Sequence, residues 1–388
     1  MVGGLPSAPD HESVPDMLDL TADVRTLTAR IVDIESVSGG ERALADAIEQ
    51  ALGDLPHLTV YRDGDAVVAR TDLGREQRVV IAGHIDTVPI VGNVPSHVEG
   101  ERLYGCGTSD MKSGVAVQLK LAALVPEPVH DVTYVFYDCE EIEADRNGLR
   151  RLAAQHPEWL EGDFAVLMEP TGGFIEGGCQ GTMRIEVAAR GKRAHSARSW
   201  MGHNAIHEAG RAIDILREYA PRRPEVEGLR FHEGLNAVFV SGGVAGNVIP
   251  DECVVTVNYR FAPDLSAQDA EQHLREVFAD YDVRVTDVAP PARPGLDHPA
   301  AAAFVRTVGD GQARAKLGWT DVARMSELGI PAVNYGPGEP TLAHTKDEFV
   351  ELDAIVDAEK RMVGWLTGVD ADTAAAAVAD AIGDVDKG

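Results

Sequence analysis

The feature that most constrains this chain is a change of periodicity that repeats along it. Short, unbroken apolar runs of strand length alternate with stretches whose apolar residues recur at helical spacing. Leu20, Val24, Leu27 and Ile31 predict a helix from about Asp19 to Val37, and a second runs from about Gly40 to Leu52. Arg78–Gly83 (RVVIAG), Asp131–Asp138 (DVTYVFYD) and Phe164–Met168 read as strands, with helices at Ser113–Leu124 and Gly148–His156 between them. Strand–helix alternation of this kind predicts an α/β fold with a mixed, largely parallel sheet flanked by helices.

The middle of the chain departs from that pattern. Thr182–Ala189, Ala237–Gly242, Cys253–Phe261 and Val283–Val288 read as strands, and Asn204–Tyr219 and Gln268–Tyr281 as helices. The order β-α-β-β-α-β predicts a small inserted α+β sandwich of the split-βαβ type. Ala289–Pro294 (APPARP) reads as the return linker. Ala300–Val308, Pro331–Tyr335 and a helix from about Leu352 to Leu366 then resume the α/β pattern. The expected organisation is a catalytic domain in two parts, 1–178 and 293–370, around an insert at 179–292, with 371–388 as a flexible tail.

Composition excludes several classes. The chain has 388 residues and a formal net charge of −28, which argues against binding nucleic acid or an anionic membrane. A 44% hydrophobic share is that of an ordinary globular protein. Four cysteines, Cys106, Cys139, Cys179 and Cys253, form no C-x-x-C pair, so a reduced cytoplasmic protein is expected. The segment from Met1 to Leu18 is acidic and has no apolar run of the signal-peptide kind.

The chemistry-bearing residues fall at strand ends. The strand at Arg78 runs into His84-Ile85-Asp86, and alternation puts His84 and Asp86 on one side of an extended backbone. A glycine-punctuated loop, Gly105 to Lys112, presents Asp110. Asp138 is followed by Cys139-Glu140-Glu141, and Met168 by Glu169. His344 stands far away in LAHTKDE. Each has a bland reading when taken singly: a surface His-x-Asp, a helix cap, an acidic loop, a structural histidine. Together they give two imidazoles and three carboxylates as ligands with one carboxylate to spare, a mixed N/O set that zinc accepts. A bridging carboxylate lets two ions sit about 3.5–4 Å apart. Cys106 and Cys139, beside these residues, read as small packing residues. No G-x-S-x-G elbow, P-loop or Rossmann glycine pattern is present.

The ordered set GHIDTVP (83–89), GCGTSDMKSG (105–114), DCEEI (138–142), MEPT (168–171), GKRAHS (191–196) and LAHTKDE (342–348) resembles the co-catalytic di-zinc aminoacylase/carboxypeptidase family over nearly the whole chain. Within it the sequence is most similar to the actinobacterial succinyl-diaminopimelate desuccinylases. The resemblance implies two Zn2+ per chain, with Co2+ able to substitute. His84 and Glu169 would hold one ion, Glu141 and His344 the other, and Asp110 would bridge them. Asp86 would orient His84, and Glu140 would be the general base. His195 would sit near the oxyanion, usually in the partner subunit's site, which makes the insert a lid and the contact of a homodimer.

The implied substrate is a small N-acyl diamino acid with several carboxylates. Arg260 and Arg324 are the expected carboxylate partners and Asn247 the expected partner of the acyl or amide group. One departure stands out: such enzymes carry Arg near the start of the insert, where this chain reads Cys179-Gln180-Gly181. That leaves the mode of succinyl recognition open. Alternatives are another N-acyl-amino-acid deacylase or carboxypeptidase of the family, such as an acetylornithine deacetylase, or a non-catalytic peptide-binding member.

Overall fold

In the computed structural model, which describes residues 18–370 and Thr373, two sheets carry most of the architecture. The larger has eight strands, in the order Thr59–Asp63, Ala66–Arg70, Asp131–Tyr137, Arg78–His84, Phe164–Leu167, Ala332–Asn334, Glu176–Gly177 and Arg314–Ala315. Its centre is parallel: Arg78–His84 pairs in parallel with both Asp131–Tyr137 and Phe164–Leu167, and Ala332–Asn334 continues beside the latter. These central strands are buried throughout, apart from Arg78 at one end. One face packs against helices Val24–Asp33, Arg42–Gly53, Ser113–Leu124, Pro299–Val308 and Leu352–Thr367, and the other against Gly148–Gln155 and Val322–Glu327. Coverage on both faces is what unbroken apolar strands require.

The register fixes where the chemistry falls. Ala82 lies opposite Leu167, and His84 opposite Tyr137. Two steps further along each strand, Glu169 comes level with His84, and the Cys139–Glu141 turn lies just beyond Tyr137. All therefore emerge at the carboxyl edge of the parallel strands, where open α/β sheets build their sites.

The smaller sheet is wholly antiparallel, ordered Gly234–Gly242, Glu252–Phe261, Gly181–Arg190 and Asp282–Ala289. Helices Ala205–Glu218 and Ala267–Val277 pack on one face around Ile185, Val187, Val255 and Val257. Its four strands and two helices follow the expected β-α-β-β-α-β order. Strand alternation is visible in Gly181–Arg190 and Glu252–Phe261, where buried residues alternate with more exposed ones. The edge strand Gly234–Gly242 is exposed from Asn236 onward.

Several boundaries differ from the sequence reading. The first helix starts only at Val24, because the Asp23 carboxylate accepts the Arg25 and Thr26 amides and caps it. The hairpin Thr59–Asp63 with Ala66–Arg70 was not expected; its signal is the two-residue turn Gly64-Asp65, with Gly64 at φ 60°. The expected 371–388 tail lies outside the described residues, Thr373 apart. No helix among the described residues is long and apolar enough to cross a membrane.

Helix Ser113–Leu124 lies so close to the end of strand Phe164–Leu167 that a Cβ at Gly114 would run into the Met168 carbonyl. Gly114→Ala is expected to lower unfolding stability by about 1–3 kcal/mol, the usual cost of overpacking. Chemical denaturation reads this as a lower midpoint, and an unchanged midpoint would show that the helix can move away freely.

Candidate metal centre

One carboxylate ties the two distant histidines together. Asp110 Oδ1 lies 3.1 Å from His84 Nε2, and Asp110 Oδ2 lies 3.6 Å from His344 Nε2. His344 Nε2 is also 2.8 Å from Glu141 Oε1. His84, Asp110 and Glu141 offer ligand atoms that all lie within 4.8 Å of one another. Asp110 does not cap the helix that follows: Lys112 occupies the cap position, without a side-chain cap bond. The helix-cap reading of Asp110 is therefore excluded, and its oxygens are left for the imidazoles.

Two of the segments that present the candidate ligands are gripped by further carboxylates. Glu348 accepts the amides of Gly107, Ser109 and Asp110 at 3.0, 2.8 and 3.0 Å, which fixes the loop that presents Asp110. Asp86 accepts the Glu140 amide on one oxygen and the Glu141 amide on the other, both at 3.0 Å, and the Ser38 hydroxyl at 2.7 Å. Glu41 accepts the Cys139 amide at 3.1 Å. The turn needs this support, because Cys139 is at φ 57°, and His344 is likewise in the left-handed region at φ 63°. Non-glycine residues in that region are uncommon, and of the four among the described residues Cys139 adjoins the cluster and His344 is part of it.

His84 Nδ1 faces the Asp86 carbonyl at 3.1 Å and the Asp86 carboxylate at 3.4 Å. Burial opposes charge on this ring, but its bonds to Asp110 and Asp86 hold it protonated well above the ordinary imidazole range. Nε2 therefore becomes free for a metal only when that proton leaves, while Nδ1 keeps donating to Asp86.

The electrostatics are those of a crowded anionic pocket. Burial pushes Glu140 well above the ordinary carboxylate range, and Glu169, Asp321 and Glu141 add repulsion. Burial, then Asp110, raises Glu169 to about 8. His344 is raised to about 9, chiefly by its hydrogen bond to Glu141. Glu169 Oε1 is buried and has no hydrogen-bond partner. Carboxylates this close stay ionised together only when cations lie among them. The orphaned Glu169 oxygen and the shared Asp110 fit a metal site on the same ground.

The cluster opens onto a cavity of about 640 Å³, lined by Asp110, Glu140, Glu141, Glu169 and His344 on one side and by Arg314, Lys316 and Trp319 on the other. The last three were not singled out from the sequence. Lys316 was findable, as one of only seven lysines in a strongly acidic chain. Asp321, buried and hydrogen-bonded by Asn147 Nδ2 at 2.7 Å, was also missed.

The other expected site residues lie elsewhere. His195 and Asn247 are exposed on the smaller layer, joined by a Ser196 amide to Asn247 carbonyl bond of 2.9 Å. Arg260 is on strand Glu252–Phe261. Arg324 is paired with Glu327 at 3.2 Å and Asp321 at 3.7 Å. None of the four lines the cavity. Cys106 and Cys139 are free and buried, and burial pushes the Cys139 thiol up to about 12, which suits packing residues.

A mixed sheet with a metal-capable carboxyl edge and an antiparallel companion layer defines a metallohydrolase architecture. Residues 80–367 match the model of peptidase family M20/M25/M40, and the chain belongs to that metal-dependent family. A Mycobacterium tuberculosis protein that carries the name succinyl-diaminopimelate desuccinylase DapE is 54% identical over 354 residues, covering 90% of this chain and 100% of that one. The succinyl-diaminopimelate desuccinylase of Corynebacterium glutamicum is 47% identical over 360 residues, covering 90% of this chain and 98% of that one. Among solved structures, the aminopeptidase PepT of Bacillus cereus superposes with TM-score 0.72 at 18% identity, over 90% of this chain and 99% of that one. An M20 family metallo-carboxypeptidase of Sulfolobus solfataricus gives 0.69 at 16% identity, over 89% and 98%. These last two show the shared fold.

Loading this centre must displace protons. Without a cation, His84 holds its proton well above the ordinary imidazole range, His344 up to about 9 and Glu169 up to about 8. All three must release it to become ligands, so metal affinity should rise with pH from 6 to about 9. Calorimetry in buffers of different ionisation enthalpy should show about two to three protons released per chain at pH 7. An affinity that does not change over this interval would refute these protonation states.

Proposed function

We propose that this chain is a metal-dependent amide hydrolase, a succinyl-diaminopimelate desuccinylase. It cleaves N-succinyl-LL-2,6-diaminopimelate to succinate and LL-2,6-diaminopimelate on the route to lysine and cell wall. The observation that carries the chemistry is Asp110 facing both His84 and His344, with Glu140 left over beside them. The extended identity to two relatives bearing that name supports the substrate.

On this reading the centre takes two Zn2+, or Co2+ in their place. His84 and Glu169 would hold one ion and Glu141 and His344 the other, with Asp110 placed between the two imidazoles. Such ions polarise the amide carbonyl and make a water acidic enough to ionise near neutral pH. Glu140 accepts the proton of the attacking water and returns it to the departing amine. Burial and its anionic neighbours raise its proton affinity, as a base working near neutral pH requires. Asp86 holds the His84 ring and the Glu140–Glu141 backbone at once, so the base and a ligand share one support.

His195, Asn247 and Arg260 belong to the smaller layer and act only when that layer, or its counterpart in a second copy, reaches the cavity. A homodimer through this layer is supported by its exposed edge strand, where Phe239 is 71% and Val240 63% exposed. Arg324 reaches the substrate only by giving up part of its pairing with Asp321 and Glu327. Free buried cysteines support a cytoplasmic location.

Glu140→Gln should keep its metal content while turnover falls by about 10²–10⁴. Metal analysis beside steady-state rates reads both, and near-wild-type turnover at full occupancy would remove Glu140 as the base. N-Succinyl-LL-diaminopimelate should outperform N-acetylornithine by amine release. The reverse order would point to the deacetylase alternative.

A further inference from the structure

The cavity has a wall of opposite sign to its floor. Arg314 and Lys316 both converge on one buried carboxylate, Glu176: Arg314 Nε lies 2.8 Å from Oε1, and Lys316 Nζ 3.0 Å from Oε2. Two cations share a single anion, which leaves this wall with a local charge of about +1. Arg314 is otherwise committed. It donates to the Thr171 carbonyl at 2.8 Å, and its guanidinium lies 4.5 Å from the centre of the Phe174 ring.

Lys316 differs. An ammonium has three donors. One is directed at Glu176 and a second at the Pro170 carbonyl, 3.2 Å away. The third is left over, on a side chain that lines the cavity and whose residue is only 8% exposed. Its charge is felt by Glu169 and Asp110, yet neither is within ion-pair distance, so a ligand anion entering the cavity is the group placed to take this donor.

We infer that Lys316 is the anchor for a substrate carboxylate remote from the scissile amide. Resting on the hydrolase reading above, this assigns the acidic end of the substrate to the Lys316 wall and the amide to the Glu140 side. The apolar body of the substrate then crosses between them, beside Leu317, Trp319 and Pro340, which also line the cavity. The anchor also supplies discrimination, because a substrate with only an ammonium at that end meets a like charge. A carboxylate can come from the succinyl end or from the distal end of diaminopimelate, and the shared chemistry is the same.

The test compares zinc-loaded wild type with Lys316→Met and Lys316→Arg. Lys316→Met keeps the aliphatic stem and leaves Arg314 to balance Glu176. It should raise KM for N-succinyl-LL-diaminopimelate by about 10- to 100-fold, the usual worth of a hydrogen bond to a charged group, with kcat within about threefold. Lys316→Arg should recover most of that loss. Calorimetry with succinate and butyrate, and with LL-diaminopimelate and lysine, identifies the end involved. A loss confined to succinate assigns the acyl end, and one confined to LL-diaminopimelate the amine end, with the monocarboxylate partner unaffected in either case. Unchanged KM and unchanged product affinities in Lys316→Met would overturn the anchor, and so would equal losses on butyrate and lysine. If wild type does not cleave the succinyl substrate yet product binding still depends on Lys316, the hydrolase reading fails and the anchor stands.

Discussion

Repulsion among buried carboxylates is the constraint around which this molecule is arranged. Asp86, Glu140, Glu141 and Glu169 are brought together because the central strands are parallel and end at one edge, and Asp110, Asp321 and Glu348 join them from loops. In water such a group would disperse its charge. Here much of the repulsion is met by backbone amides: Glu348 gathers three from the Asp110 loop, Asp86 takes two from the Glu140–Glu141 turn, and Glu41 takes the Cys139 amide. The carboxylates that face no cation are thus stabilised by holding the backbone of those that do. This couples geometry to charge, since an acid that leaves its amides also releases the loop it positions.

Much of this was legible in the sequence, for a physical reason. Buried parallel strands must be apolar along their whole length, so Arg78–Gly83 and Asp131–Asp138 announced themselves, and the polar residues that end them had to lie at an edge. His84, Asp110, Glu141 and Glu169 followed from that edge, and His344 from its place in LAHTKDE. Of the supporting carboxylates Asp86 was legible, but Glu41 and Asp321 were not. Glu41 and Asp321 bind amide donors supplied by tertiary contacts, which no periodicity records. The short strands Glu176–Gly177 and Arg314–Ala315 are two residues each, too brief to carry a pattern, and they hold the cationic wall. No periodicity marks that wall, and the rarity of lysine in this chain is its one signal in the sequence.

The two layers divide the demands on the chain. The larger sheet is covered on both faces, and close packing there restrains the strands that end in charged groups. The smaller sheet buries one face against its two helices and leaves strand Gly234–Gly242 open. An open edge with Phe239 and Val240 exposed is a liability in isolation, and it carries no inward charge or proline to blunt it. Such an edge is tolerable when a partner strand satisfies it, as in the homodimer proposed above.

The sign of the whole chain and the sign of its cavity wall are linked. A protein of net charge −28 repels an anionic substrate at long range, a repulsion that salt reduces beyond about 10 Å. Capture of a carboxylate must therefore be a short-range event, decided inside the cavity where screening is weak. Cations bound among Asp110, Glu141 and Glu169 would offset the floor, while Arg314 and Lys316 already outweigh Glu176 on the opposite wall. A substrate bearing carboxylates is then attracted only once it has entered, and an uncharged acyl amide gains nothing from the wall. Selectivity in this arrangement comes from placing a few cations where the solvent is thin, and the acidic surface does not weaken it.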